Sequence, residues 1–270
     1  MTVPVMSRSA AREIELKNGF TVGGRRKTFM LGPCSVETPG QMESSAAAAA
    51  ALGAAVLRGG AFKPRTSPHT FQGLGWQGLD LLVETGRAHG LAVISEVMDP
   101  RDVEGFIERG VDILQIGSRN MQNFPLLREV GRARLPVMVK RGFMSTVEEL
   151  LYAAEYVLLE GNTQVILCER GIRSFEPLTR NTLDLSCVPL VKSRLPVPVI
   201  VDLSHALGRT DIMLPMAKAA LACGADGLML ETHPNPEEAR SDGEQALTLP
   251  ALEALMAGLR PMLDFLEGEA

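Results

Sequence analysis

Cys34, Arg58, Glu96, Ser118-Arg119, Lys140, Arg170, His205 and Glu231 can each bind an anion, carry a proton or hold a metal, and they are spread over most of the chain. They share one property: each follows a short apolar run. The set divides by charge. Arg58, Lys63, Arg65, Arg119, Lys140 and Arg170 form a cationic group. Arginine presents a planar fork to carboxylate or phosphate, and lysine a point charge. Gathered in one pocket, they suit substrates carrying several negative charges, such as two phosphates and a carboxylate. Cys34, His205, Glu231 and Asp242 form the second group. Thiolate, imidazole and two carboxylates make a mixed donor set for one divalent first-row transition metal, such as Mn, Co, Fe or Zn. Taken singly, each residue has a plainer explanation. A lone cysteine is most often a small buried hydrophobe, and a single charge at a strand end is often only solvated. Their spacing is not that of a short zinc motif, so only a fold that joins distant positions can make them a site.

The apolar runs point to such a fold. They are Thr28–Gly32, Ala54–Leu57, Ala92–Ser95, Ile113–Ile116, Val137–Val139, Gln164–Leu167, Val199–Val201 and Leu228–Leu230. Nearly continuous Val/Ile/Leu runs suit strands buried on both faces of a parallel sheet. Between them lie helical patterns, including Pro39–Leu52, Trp76–His89, Thr146–Leu159 and Thr210–Cys223. Eight strand–helix pairs predict an α/β fold of the closed (β/α)8 (TIM) barrel type. All strand C-termini of such a barrel meet on one face, where the active site lies. The rival, an open doubly wound sheet, needs a glycine-rich phosphate turn; neither G-x-G-x-x-G nor G-x-x-x-x-G-K-[ST] occurs. Before the first run, residues 12–30 predict a β-hairpin, with Ile14, Leu16, Phe20 and Val22 alternating about an Asn18-Gly19 turn. The Ala46–Ala51 run predicts a helix packed closely on the barrel.

Composition excludes other classes. The 270 residues match one barrel, typically ~250 residues, so residues 1–270 are expected to form a single catalytic domain. Aromatics are 4% of residues, so a core must be built from small and branched aliphatics. A net charge of -5 with no like-charge block argues against nucleic-acid binding. Cys34, Cys168, Cys187 and Cys223 form no C-x-x-C pair, and a reduced, cytoplasmic setting is expected. Met1–Lys17 lacks a signal pattern. No apolar run reaches ~18 residues, so no membrane span is expected.

At its polar positions the sequence resembles the 3-deoxy-D-arabino-heptulosonate 7-phosphate (DAHP) synthases. The motifs are Gly32-Pro33-Cys34-Ser35-Val36-Glu37, Arg58-Gly59-Gly60-Ala61-Phe62-Lys63-Pro64-Arg65-Thr66-Ser67 and Ser95-Glu96-Val97-Met98-Asp99. Further on come Gln115-Ile116-Gly117-Ser118-Arg119-Asn120, Val139-Lys140-Arg141-Gly142, Cys168-Glu169-Arg170-Gly171, Asp202-Leu203-Ser204-His205, Glu231-Thr232-His233-Pro234 and Ser241-Asp242. The likeness runs from about residue 20 to the end. It lies with the shorter branch, related to the 3-deoxy-manno-octulosonate 8-phosphate (KDO8P) synthases. One departure is Leu203, where the family usually has Pro; His205 stays in place.

The resemblance implies condensation of phosphoenolpyruvate with erythrose 4-phosphate, the first step of the shikimate pathway, in a cytoplasmic homotetramer. Cys34, His205, Glu231 and Asp242 match the family's metal ligands. Arg119, Lys140 and Arg170 match the groups that hold phosphoenolpyruvate, with Lys63 near its reacting end. Arg58, Glu96, Gly117 and Ser118 match positions lining the same site. Lys63, Pro64, Arg65 and Thr66 match the loop that receives the aldose phosphate, Arg65 and Thr66 holding the phosphate itself. In the implied chemistry C3 of phosphoenolpyruvate attacks the aldehyde, water adds at C2 and phosphate leaves, with the metal serving as Lewis acid. Glu96 and Lys140 are expected to position or deprotonate the water, and Lys63 to protonate the new alkoxide. The hairpin is expected to close the bottom of the barrel. Lacking room for an additional regulatory domain, the chain is expected to escape feedback inhibition by Phe or Tyr through one.

Three alternatives stand beside this. KDO8P synthase would use arabinose 5-phosphate, but its loop usually reads Lys-Ala-Asn-Arg, whereas here Pro64 and Arg65 follow Lys63 directly. A Schiff-base aldolase could use Lys140 and would form a borohydride-trapped adduct. A non-catalytic anion-binding barrel would be expected to lack one or more of these cations or ligands.

Overall fold

The computed structural model describes residues 10–268; residues 1–9, part of the segment read as free of a signal pattern, and 269–270 lie outside the described residues. Two short antiparallel strands come first, β1 (Ile14–Glu15) and β2 (Thr21–Val22). Gly19 takes φ 80° in the turn between them, a conformation that costs glycine little. The eight parallel strands are β3 (Thr28–Gly32), β4 (Val56–Arg58), β5 (Ala92–Glu96), β6 (Ile113–Ile116), β7 (Val137–Lys140), β8 (Val165–Glu169), β9 (Val199–Asp202) and β10 (Gly227–Glu231). Each pairs with its successor, and β10 pairs with β3, closing the barrel.

Period-two alternation sorts the strand residues onto two surfaces. Leu31, Leu57, Val93, Leu114, Val139, Leu167, Val201 and Leu230 pack with the surrounding helices. Met30, Val56, Ile94, Ile113, Met138, Ile166, Ile200 and Met229 fill the interior, joined there by Ile14, Leu16 and Val22 of the hairpin. The hairpin therefore stoppers the barrel. Asn18 Nδ2 donates to Ala55 O at 2.9 Å and to Gly90 O at 3.3 Å, and Ala11 N to Thr163 O at 2.9 Å. All three carbonyls lie just ahead of strands, so the stopper sits at the N-terminal end.

Helices α1 (Pro39–Ala51), α2 (Trp76–Ala88), α3 (Val103–Arg109), α4 (Phe124–Arg132), α5 (Val147–Leu159), α6 (Cys187–Lys192), α7 (Leu203–Leu207), α8 (Met213–Ala222) and α9 (Leu249–Gly268) connect the strands or follow them. Ala46 and Ala49 bring α1 onto the sheet. Thr146 and Glu149 form a capping box that starts α5.

Two boundaries differ from the sequence reading. The hairpin ends at Val22, and Thr28–Met30 belong to the first barrel strand. Six strands also run one or two residues past their apolar runs, through Arg58, Glu96, Lys140, Glu169, Asp202 and Glu231. The ladder needs only backbone groups, so it continues after the apolar pattern has stopped.

Candidate active site

The extra strand residues decide where the polar groups go. Arg58, Glu96, Lys140 and Glu231 are the last residues of β4, β5, β7 and β10, and Arg170 directly follows β8. Cys34 lies two residues past β3, while Ser118 and Arg119 begin a 3-10 turn after β6. His205 sits in α7, whose start is capped by Asp202 accepting from His205 N at 3.0 Å. All point to the C-terminal face. A cleft of about 320 Å³ opens there, lined by Lys63, Pro64, Arg65, Thr66, Glu96, Gly117, Ser118, Arg119, Lys140, Arg170, His205 and Asp242 among others. Beneath it is a chamber of about 30 Å³ between Arg58, Lys63, Glu96, Lys140 and His205.

Cys34, His205, Glu231 and Asp242 offer donor atoms that all lie within 4.8 Å of one another. Ligands around one ion stand roughly 3–4.5 Å apart, so the four fit a single divalent cation. The surroundings favour it. His205 Nδ1 donates to Asp202 at 2.8 Å, which leaves the Nε2 lone pair facing Glu231 Oε1 at 3.3 Å. Burial lowers the His205 pKa although Asp202 and Glu231 oppose it, favouring the neutral, ligating ring. Glu231 is held by Arg58 at 2.6 Å and by Gln245 at 2.5 Å. The Cys34 thiol meets Asp242 Oδ2 at 3.1 Å and Lys63 Nζ at 3.0 Å. Burial, then Glu231, push that thiol up to about 12 against the pull of Lys63. A thiol this reluctant to ionise among carboxylates becomes a thiolate only beside a strong cation. Burial would raise Asp242, but Arg180, the Cys34 hydrogen bond and His205 outweigh it and hold the carboxyl at about 2. Asp242 has φ 52°. Ser241 Oγ bonded to Ser35 Oγ at 2.7 Å, and Arg240 N donating to Glu37 at 3.0 Å, hold its loop against the β3 end.

The cationic group is divided by depth. Lys140 and Arg170 are buried at 4% and 2% exposure. Lys140 is paired with Asp202, and burial works against that carboxylate until His205 and Lys140 draw its pKa well down. Arg58 faces the lower chamber, its guanidinium on Glu231 and Pro33 O. Arg65 and Thr66 lie nearer the mouth. Glu96 Oε1 is buried without a hydrogen-bond partner among the described residues. Burial raises the Glu96 pKa more than Lys63, Lys140 and Arg119 lower it. A side chain on Gly117 would strike the Glu96 carboxylate, so the glycine leaves room for that group.

Four contributors escaped the sequence reading. Asp202 bridges Lys140 and His205, and its signal was available: an N-capping Asp three residues before His205. Phe143 lines the cleft, and an aromatic directly after Lys140-Arg141-Gly142 could have marked it. Arg180 lines it too and pairs with Asp242 at 3.3 Å and Gln245 at 2.5 Å. Arg180 lies in irregular chain between β8 and α6, where no periodicity points to it, and Gln245 likewise carried no signal.

A closed barrel with a cationic cleft beside a four-donor cluster defines a (β/α)8 protein of the enzyme type that handles multiply charged anions. The chain belongs to the DAHP synthetase I family, whose profile matches residues 11–263. It is 46% identical over 254 residues to the phospho-2-dehydro-3-deoxyheptonate aldolase of Thermotoga maritima, covering 94% of this chain and 73% of that protein. A 2-dehydro-3-deoxyphosphooctonate aldolase of Acidithiobacillus ferrooxidans is 29% identical, covering 88% of this chain and 90% of the relative. A crystal structure of the Thermotoga maritima DAHP synthase superposes with a TM-score of 0.90 at 45% identity, over 94% of this chain and 74% of that one. A truncated form of that synthase gives 0.87 at 42% identity, over 94% and 93%.

Proposed function

We propose that this protein condenses phosphoenolpyruvate with D-erythrose 4-phosphate and water to give DAHP and phosphate, as a transferase dependent on one divalent metal. The observation that carries the reading is the junction of the cationic cleft with the Cys34, His205, Glu231 and Asp242 cluster, in a chain of this family. When bound there, the metal supplies Lewis-acid polarisation of the aldehyde. The chain's own groups do the rest. Arg119 and Arg170 hold the phosphate and carboxylate of phosphoenolpyruvate, with Lys140 between them and the lower chamber. Arg65 and Thr66 take the phosphate of the sugar at the mouth, on the loop that Pro64 stiffens. Gly117 and Ser118 form the wall beside Glu96.

The chamber beneath the cleft has polar walls and room for about one water. Glu96 Oε1 takes a proton from that water as its oxygen bonds to C2, and Lys140 orients it. Lys63 gives its proton to the oxygen of the former aldehyde as C3 bonds to the aldehyde carbon. Phosphate then departs from C2 with the bonding electron pair as the C2 hydroxyl closes to the ketone and passes its proton to the leaving phosphate. Fixed cations stabilise the charge without reorganising. His205 acts as a ligand, oriented by Asp202. One barrel carries the whole reaction in this reading, and a homotetramer is its expected assembly.

Phosphate release from phosphoenolpyruvate tests the proposal, with erythrose 4-phosphate or arabinose 5-phosphate as co-substrate, with and without chelator. Turnover with the four-carbon sugar, lost with chelator and restored by a divalent ion, is expected. Preference for arabinose 5-phosphate would move the reading to KDO8P synthase. Inactivity of metal-loaded enzyme with both would defeat the catalytic reading.

A further inference from the structure

Phe143 stands in the turn that leaves β7, one residue past Gly142. Three guanidinium groups gather about its ring: Arg119 at 5.2 Å, Arg170 at 4.7 Å and Arg173 at 4.8 Å from the centroid. They arrive from two different strand ends, after β6 and after β8, and as like charges they repel. Three other cations of the site are each settled by a carboxylate: Arg58 by Glu231, Lys140 by Asp202 and Arg180 by Asp242. Among the described residues no carboxylate lies within 4.0 Å of Arg119, Arg170 or Arg173. The side chains of Arg119 and Arg170 make only long hydrogen bonds, to Thr66 Oγ1 at 3.5 Å and to Gly171 O at 3.3 Å.

An aromatic face attracts a cation through its quadrupole but carries no net charge. A carboxylate in the same place would hold the arginines equally well, cancel the charge they offer and have to be displaced by an incoming phosphate. The ring gathers them without cancelling anything. Its own position is fixed: Phe143 O accepts from Arg173 N at 2.7 Å, and Gly142 N donates to Met121 Sδ at 3.1 Å.

We infer that Phe143 is a positioning residue, an aromatic platform that sets Arg119 and Arg170 for phosphoenolpyruvate while leaving their charge uncompensated. The inference rests on the proposed role of those two arginines. Phe143→Leu keeps an apolar side chain without the quadrupole, and Phe143→Tyr keeps the ring. The test is calorimetric titration with phosphoenolpyruvate plus steady-state kinetics of both variants, with circular dichroism to verify folding. In the Leu variant, Kd and KM for phosphoenolpyruvate should rise about tenfold. Its kcat and its KM for erythrose 4-phosphate should stay within about twofold of wild type, as loss of uniform binding requires. The Tyr variant should bind like wild type. Unchanged phosphoenolpyruvate binding in the Leu variant overturns the platform, as does equal loss in Leu and Tyr or equal loss for both substrates. Wild-type enzyme that binds phosphoenolpyruvate but turns over neither sugar phosphate defeats the proposed function instead, and the platform is then judged on binding alone. Wild type with no measurable binding overturns both.

Discussion

At the scale of the residue, the site is a set of groups whose proton affinities burial and neighbours have moved from their values in water. Cys34 is the clearest case, a thiol pushed up to about 12 between two carboxylates. Its replacement by Ala removes the only sulfur donor of the four. Cys34→Ala should weaken metal binding and abolish most phosphate release, checked by metal content after dialysis and by turnover. Full activity at unchanged metal content would rule out the ligand assignment. Glu96 is the second case. Its pKa is raised by burial from an ordinary 4.5, and as a base it works only ionised. Protonation therefore sets in as pH falls through a value above 4.5, so the acid limb of kcat/KM should lie above the ordinary carboxylate range. Glu96→Gln should lower kcat and remove that limb; a limb unchanged in the Gln variant assigns it elsewhere.

At the scale of the element, strands and loops divide the work. The sequence made the strands legible because eight Val/Ile/Leu runs alternate with helical patterns, and the same reading put a functional residue after each. It stopped four of these runs where the apolar pattern stops, one residue before the ladder ends at Arg58, Glu96, Lys140 and Glu231. These four candidate groups are thus strand residues in fixed positions, whereas Cys34, Lys63, His205 and Asp242 lie beyond the strands. What was illegible is the irregular chain. Arg180 reaches the cleft from a segment without periodicity, and Phe143 matters through three arginines remote in sequence. The loop carrying Arg65 is expected to act on one substrate alone. Arg65→Ala should raise KM mainly for the sugar phosphate, and an effect confined to phosphoenolpyruvate would contradict that division. The hairpin is structural. Ile14 is 1% exposed inside the barrel, so Ile14→Ala should cost about 2–5 kcal/mol, read by denaturant titration, while both KM values stay put. A stability loss near zero would mean the stopper does not pack as described.

At the scale of the whole molecule, the fold and the anion cleft share one architecture. The barrel brings together positions as distant as Cys34 and Asp242 because every strand ends on the same face. A divalent ion that binds this cluster only in the folded chain stabilises that chain by mass action. A divalent metal should therefore raise the melting temperature, by an amount corresponding to about 2.7 kcal/mol at a hundredfold excess over Kd. Thermal scans with metal and with chelator check this, and the shift should shrink in Cys34→Ala. An equal shift in the variant would place the ion elsewhere.

Among the described residues, the hairpin fills the barrel's N-terminal end, and the cleft opens at the other. Depth then becomes sequence in time. In the proposed reading, phosphoenolpyruvate on Lys140 and Arg170, both almost wholly buried, is expected to bind before the sugar phosphate takes Arg65 and Thr66 at the mouth.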